Sequence, residues 1–313
     1  MITHQRSFKK RAKKKLLKPF NFLINPLQSL WLNKNNLEFL YSTPPVFIIG
    51  PPRSGTTVLY QLLCKHFNFA YINNFIADWY NAPVLATKAF NLFIKDRNQI
   101  ELNSTFGKSS KYYGPNEFGE FWYRWFSKEH TIINNSENLV KEIAGITEVF
   151  QKHLVLKNVV NSMRISQLNN LFKNPIFILL KRDYLDNAQS ILNARKSLYN
   201  DKNYPWSVIT PSMKQNPGLP YYIQIVKQID DIHSIIDSSI RAIGDDKLIL
   251  VDYKDLCCDT PEVLNSILLQ LRLKNFRITK TSDFPDKLDY STGQKVSNSD
   301  YSRLKKEIEK IGK

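Results

Sequence analysis

Residues 46–63 read as an apolar strand, a phosphate loop and a helix in immediate succession, and no other stretch constrains the fold as tightly. Val46-Phe47-Ile48-Ile49 is a short run of β-branched and aromatic residues, entered from Pro44-Pro45 and stopped at Gly50, as expected of a buried parallel strand. Val58, Leu59, Leu62, Leu63 and Phe67 then recur at three- and four-residue spacing, the apolar stripe of a helix packed on a sheet. The intervening loop ends at that helix's N-terminus, where unpaired N–H groups and the helix dipole favour an anion.

Gly50, four further residues, Gly55, Thr56 and Thr57 have Walker A spacing, except that Thr56 stands where the lysine belongs. Nucleoside triphosphate enzymes place that lysine on the β- and γ-phosphates and the next hydroxyl on magnesium, so its loss argues against an ordinary kinase or ATPase. Positive charge comes instead from Arg53, whose planar fork can grip a phosphate or sulfate through two hydrogen bonds. Arg53, Ser54, Gly55, Thr56 and Thr57 are the candidate anion-binding residues of the loop.

A second block spans residues 153–192. The short apolar strand Leu154-Val155-Leu156 ends at Lys157, and Met163, Ile165, Leu168, Leu171 and Phe172 follow with helical spacing. Ile176–Leu180 is another buried strand, Arg182 falls just past it, and Ser190 lies seven residues beyond Asp183, two helical turns along. Ligands of open parallel sheets bind outside the carboxyl ends of the strands. Arg53, Lys157 and Arg182 each end a strand or its loop and are expected to converge on one crevice, as a ligand with two separated phosphates needs. Each alone also fits a solvated loop residue, and Ser190 alone fits a helix serine facing solvent.

Pro-Pro-Arg-Ser-Gly-Thr-Thr after a hydrophobic strand resembles the 5′-phosphosulfate loop of sulfotransferases. The arginine ending a strand with a serine on the next helix is similar to the family's 3′-phosphate block. Val251-Asp-Tyr253-Lys-Asp255-Leu256 before a helix also fits the family, and the resemblance covers roughly residues 44–271. It implies a P-loop nucleoside triphosphate hydrolase-like sulfotransferase fold and 3′-phosphoadenosine 5′-phosphosulfate as co-substrate. The loop would take the phosphosulfate, Arg182 and Ser190 the 3′-phosphate, and Lys157 would act as a catalytic cation. No metal is expected, because a sulfuryl group carries less charge than a phosphoryl group and the loop lacks the lysine of a nucleoside triphosphate site.

Transfer to an acceptor hydroxyl needs a base, in-line geometry and cations on the oxygens that gain charge. In the protein-tyrosine branch of the family the base is a glutamate some twenty residues after the loop arginine; here that neighbourhood is Tyr71-Ile72-Asn73-Asn74-Phe75, without a carboxylate. Glu117, Glu120 and Asp78 are the candidates, in that order. Phe118, Phe121, Trp122 and Trp125 form a helical core stripe beside Glu117, Glu120 and Arg124. On structural grounds alone Glu120 fits an ion pair with Arg124, and Glu117 an acid in a helix's first turn. The acceptor is read as a hydroxyl compound such as a saccharide or glycolipid, with aromatic residues around Trp79-Tyr80 and Tyr112–Trp125 available for stacking.

The alternation of strands with helices implies an α/β domain, a central parallel sheet with helices on both faces, over residues 44–313. Residues 68–150 would be an acceptor-side helical insertion. Leu219–Ile243 reads as one long helix ending at Gly244, Lys247–Val251 as a strand, and Thr260 as the cap of a helix with Pro261 in its first turn. Tyr199–Pro220 and Thr279–Ser299 are loop-like.

Residues 1–43 form a basic arm and a docking segment. The first eighteen residues carry eight Lys or Arg and no acid, half of the net charge of +16. The arm fits either a solvated tail or contact with acidic phospholipid or nucleic acid, and Phe20, Phe22, Leu23, Ile24, Leu27, Leu30 and Trp31 either lie on a membrane surface or dock on the core. No nucleic-acid partner is expected for the enzyme, and its place is the cytoplasm, peripheral to a membrane at most. Cys64, Cys257 and Cys258 make neither a disulfide framework nor a metal cluster, and the five histidines lack metal-ligand spacing. A kinase with a degenerate loop and a non-catalytic polyanion-binding module are the competing readings.

Overall fold

The structure is a computed structural model and describes residues 17, 19–21, 23, 24, 26–28, 32, 35–93, 100, 111–127, 129, 130, 132 and 136–313. The basic arm over residues 1–16, and Phe22, Leu30 and Trp31 of the docking segment, lie outside these residues.

In chain order the elements are α1 (17–28, helical at each described position), α2 (Asn35–Ser42), β1 (Val46–Ile49), α3 (Thr56–His66), β2 (Ala70–Tyr71), α4 (Asn74–Asp78), α5 (Pro83–Phe93) and α6 (Gly119–Trp125). Then come α7 (Ser136–Phe150), β3 (Leu154–Lys157), a 3-10 turn (Val159–Met163), α8 (Ile165–Leu171), β4 (Ile176–Lys181) and α9 (Tyr184–Tyr199). The last are α10 (Pro211–Gln215), α11 (Tyr221–Ile243), β5 (Leu248–Asp252), α12 (Tyr253–Cys258), α13 (Thr260–Leu273) and α14 (Asn298–Lys310).

The strands pair in parallel in the order β2-β3-β1-β4-β5. Alternate residues face opposite sides, as a strand's two-residue period requires. Phe47, Ile49, Leu154, Leu156, Phe177 and Leu179 join one core with α6, α7, α8 and the C-terminal half of α11. Val46, Ile48, Val155, Ile178, Leu180 and Ile249 join the other with α3 and α13. A third cluster packs α9 on α11 and α14 through Ile191, Leu192, Ile225, Ile229 and Leu304. The expected parallel sheet with helices on both faces is thus present.

Several expectations need correction. β2 went unread because two residues carry no period; it exists by pairing Ala70 and Tyr71 with Leu154 and Val155. Thr260 is not a cap: Asp259 accepts from Glu262 N at 3.2 Å, and the Thr260 hydroxyl donates to Leu256 O at 2.8 Å. α11 ends at Gly244 as expected but starts at Tyr221, and the loop-like 199–220 stretch contains α10. Phe118, Phe121, Trp122 and Trp125 are all buried, but Phe118 is left-handed at φ 57° and caps α6, so Glu117 stands outside that helix's first turn. Arg124 does not reserve its fork for Glu120: both terminal nitrogens bond Glu142 at 3.1 Å, and Nη1 also donates to Tyr80 O at 2.6 Å.

His233 on α11 is buried, with Nδ1 lacking a partner among the described residues and its ring 5.5 Å from that of Tyr184. Burial, and then Lys181, pull its pKa from 6.5 down to about 4, against the opposing pull of Asp237 and Asp230. Such a histidine stays neutral in the fold and takes up its proton on unfolding. Its contribution to stability is complete above 6.5 and is lost as pH falls toward about 4. His233→Gln should therefore flatten the fall of melting temperature across that window, as scanning calorimetry at stepped pH will measure; an unchanged slope would assign the acid sensitivity elsewhere.

Candidate active site at the carboxyl edge of the sheet

β1 delivers the chain into a loop whose shape depends on two left-handed positions. Gly55 sits at φ 101°, and a Cβ there would fall 2.3 Å from the Tyr253 ring, so only glycine lets that aromatic close on the loop. Arg53 sits at φ 65°, an uncommon conformation for a residue with a side chain. Gly50 N donates to Ser162 Oγ at 3.0 Å, and that hydroxyl donates to Gly50 O at 3.2 Å, lashing the loop's base to the turn after β3. Ser54 is fully buried, and its Oγ has no partner among the described residues. α3 begins at Thr56, so the first-turn N–H groups of Thr56 and Thr57 find no partner within the helix.

Two arginines crowd this loop. Arg182 Nη1 donates to Arg53 O at 3.0 Å, its guanidinium lies 4.6 Å from the centroid of the Tyr253 ring, and its buried Nε has no partner among the described residues. Arg53 Nε donates to Ser190 Oγ at 3.1 Å. Burial, and then the neighbouring Arg182, lower the pKa of Arg53, so a bound anion would relieve both. Burial also pushes the Tyr253 hydroxyl up to about 12, so the ring faces the arginines as a neutral aromatic. Asn187 Nδ2 on α9 donates to Pro52 O at 2.7 Å while its buried Oδ1 has no partner among the described residues. Ser190, expected to reach one phosphate with Arg182, has its hydroxyl on Arg53, because α9 runs past the loop and Asn187, one turn earlier, ties the two together.

Lys157 ends β3, next to β1, and is buried. Its Nζ donates to Thr57 Oγ1 at 3.1 Å and forms a short ion pair with Glu117. The lysine side chain is 3% exposed and the glutamate 36%, so the carboxylate is the partner that solvent or a substrate can reach. Glu117 is held by its backbone: Asn158 Nδ2 donates to Glu117 O at 3.1 Å, Phe118 N to Asn116 Oδ1 at 2.8 Å, and Asn116 N to Ile72 O at 2.8 Å. Lys157 thus meets Glu117, not Glu120, which lies on α6. Asp78 ends α4, and its backbone carbonyl accepts from Asn21 Nδ2 at 2.9 Å.

Sequence reasoning missed Ser162, Asn158 and Asn187, which brace the site. Asn158 follows Lys157 directly, the one signal available; the other two carry none. Among the described residues no three His, Cys, Asp or Glu side chains are grouped to hold a metal ion. The loop thus gathers two arginines, a hydroxyl and an amide oxygen without partners among the described residues, and a helix N-terminus, beside a lysine–glutamate pair.

The model of the sulfotransferase family matches residues 44–277. No curated protein matches the chain by sequence. Among solved structures, sulfotransferase STF1 from Mycobacterium tuberculosis H37Rv superposes with a TM-score of 0.51 at 13% identity, over 91% of this chain and 77% of that one. A sulfotransferase from Alicyclobacillus acidocaldarius gives 0.44 at 15% identity, over 85% and 96%. Sulfotransferase STF9 from Mycobacterium avium gives 0.46 at 14% identity, over 86% and 68%.

Proposed function

We propose, given that the chain belongs to the sulfotransferase family, that it moves a sulfuryl group from 3′-phosphoadenosine 5′-phosphosulfate to a hydroxyl of an acceptor. The observation that carries this reading is the meeting of Arg53, Arg182 and Lys157 on one loop whose buried Ser54 hydroxyl has no partner among the described residues. An isolated buried hydroxyl costs free energy unless something bonds it, and a sulfate or phosphate oxygen does so. The loop from Arg53 to Thr57 takes the phosphosulfate, and Arg182, with Ser190 beside Arg53, takes the 3′-phosphate.

Before the donor arrives, Lys157 is occupied by Glu117 and Thr57. With the donor seated, Lys157 turns to the oxygen bridging phosphorus and sulfur, and Glu117 is freed as a base. The acceptor oxygen then bonds to sulfur and loses its proton to Glu117. The sulfur–oxygen bond to the 5′-phosphate breaks, and Lys157 and Arg53 stabilise the charge left on that phosphate.

The acceptor we favour is a saccharide or glycolipid. Tyr112 and Tyr123, on either side of Glu117 in the chain, are 63% and 62% exposed and offer ring faces for sugars. The cytoplasm suits the three free cysteines. In the test, 3′-phosphoadenosine 5′-phosphate without magnesium should raise the melting temperature, since a ligand at a hundred times its Kd adds about 2.7 kcal/mol. ATP with magnesium should do far less; equal stabilisation by ATP with magnesium would overturn the donor assignment.

A further inference from the structure

α1 docks on the protein by its polar residues. Asn21, buried, donates to Asp78 O at 2.9 Å and accepts from Asn81 N at 3.1 Å. Gln28, buried seven residues later, donates to Glu142 Oε1 at 2.7 Å and accepts from Val84 N at 2.8 Å. Both amides thus grip the α4–α5 region at the two ends of the helix and fix its rotation. Phe20, Leu23 and Leu27, at i, i+3 and i+7, share another face and are 52%, 68% and 56% exposed. Leu17 and Ile24 are half-buried, and the helix cannot roll the exposed stripe inward without breaking four hydrogen bonds to buried amides.

We infer that this stripe, with the Lys/Arg-rich residues that precede it, is a docking surface for an anionic lipid bilayer. Charge selects the occupant: eight cations and no acid lie in residues 1–18, directly before the stripe, where they can meet anionic headgroups while the apolar side chains enter the acyl boundary. A nucleic acid would use the cations but would leave Phe20, Leu23 and Leu27 in water. No helix among the described residues is long and apolar enough to span a bilayer, and the contact inferred is a peripheral one. The inference stands apart from the sulfuryl-transfer reading.

The full chain should cosediment with vesicles of equimolar phosphatidylglycerol and phosphatidylcholine, with a partition coefficient at least about tenfold above that for phosphatidylcholine alone. The triple variant Phe20→Ser, Leu23→Ser, Leu27→Ser should lose about tenfold or more in binding with its melting temperature unchanged, since these side chains face solvent. Neutralising Lys13, Lys14, Lys15 and Lys18 to Gln should lower binding similarly and flatten its salt dependence. Equal binding to neutral vesicles, or wild-type binding by the serine variant, overturns the inference. So does an RNA oligomer that displaces the protein from vesicles and binds the serine variant as tightly as wild type, which would reassign the arm to nucleic acid.

Discussion

Glu117→Gln is expected to lower sulfuryl transfer about a hundredfold or more while leaving affinity for 3′-phosphoadenosine 5′-phosphate nearly unchanged. The substitution is conservative where the fold is concerned. Lys157 is buried, and glutamine keeps a carbonyl oxygen to accept its hydrogen bond, whereas alanine would strand the ammonium. What glutamine cannot do is take a proton. Lys157→Met should cost about a hundredfold to a thousandfold, because it removes a preorganised charge from the leaving phosphate. Glu120→Gln should cost little, because the carboxylate that meets Lys157 is that of Glu117. Single-turnover transfer, with a folded-state check on each variant, measures all three. A dead Glu120→Gln with an active Glu117→Gln would move the base to α6.

Arg53→Ala should abolish detectable donor binding and activity together, and Arg53→Lys should recover little of either. The guanidinium Nε already donates to Ser190, and a planar fork can hold that partner and an anion on different nitrogens, a division of labour that a single ammonium cannot reproduce. Arg53 is also left-handed and crowded by Arg182, so its loss relieves some repulsion and the variant should fold. Thr56→Lys restores Walker spacing but should not create ATP hydrolysis, since Thr56 is buried at the start of α3. Calorimetric titration with 3′-phosphoadenosine 5′-phosphate and a phosphate-release assay cover both; near-native donor binding by Arg53→Ala would sink the loop assignment.

Much of this site was legible because its chemistry is local. Arg53, Thr56 and Thr57 sit at fixed offsets from β1, and a strand–loop–helix order leaves the backbone one way to present N–H groups to an anion. Lys157 and Arg182 each follow an apolar run, so their position at the sheet's carboxyl edge followed from strand direction alone. The two-block pattern also led to the family whose model matches residues 44–277. The partners of these residues were less legible. Arg124 lies four residues from Glu120 and pairs with Glu142, eighteen residues away on α7, because both sit against the buried face that α6 and α7 share. Ser190 answers to Arg53 across 137 positions.

Local sequence was enough for the strands long enough to stand out as apolar runs, for the helix that follows the loop, and for the residue types able to hold two anionic groups, since all three depend on neighbours within a few positions. It took the folded chain to pair β2, to close Tyr253 on Gly55, to set Glu117 as the carboxylate on Lys157, and to leave Phe20, Leu23 and Leu27 of α1 facing outward. Those outcomes depend on contacts between residues far apart in the chain, in which register, a bound amide or a missing Cβ selects one partner among several of equal local merit.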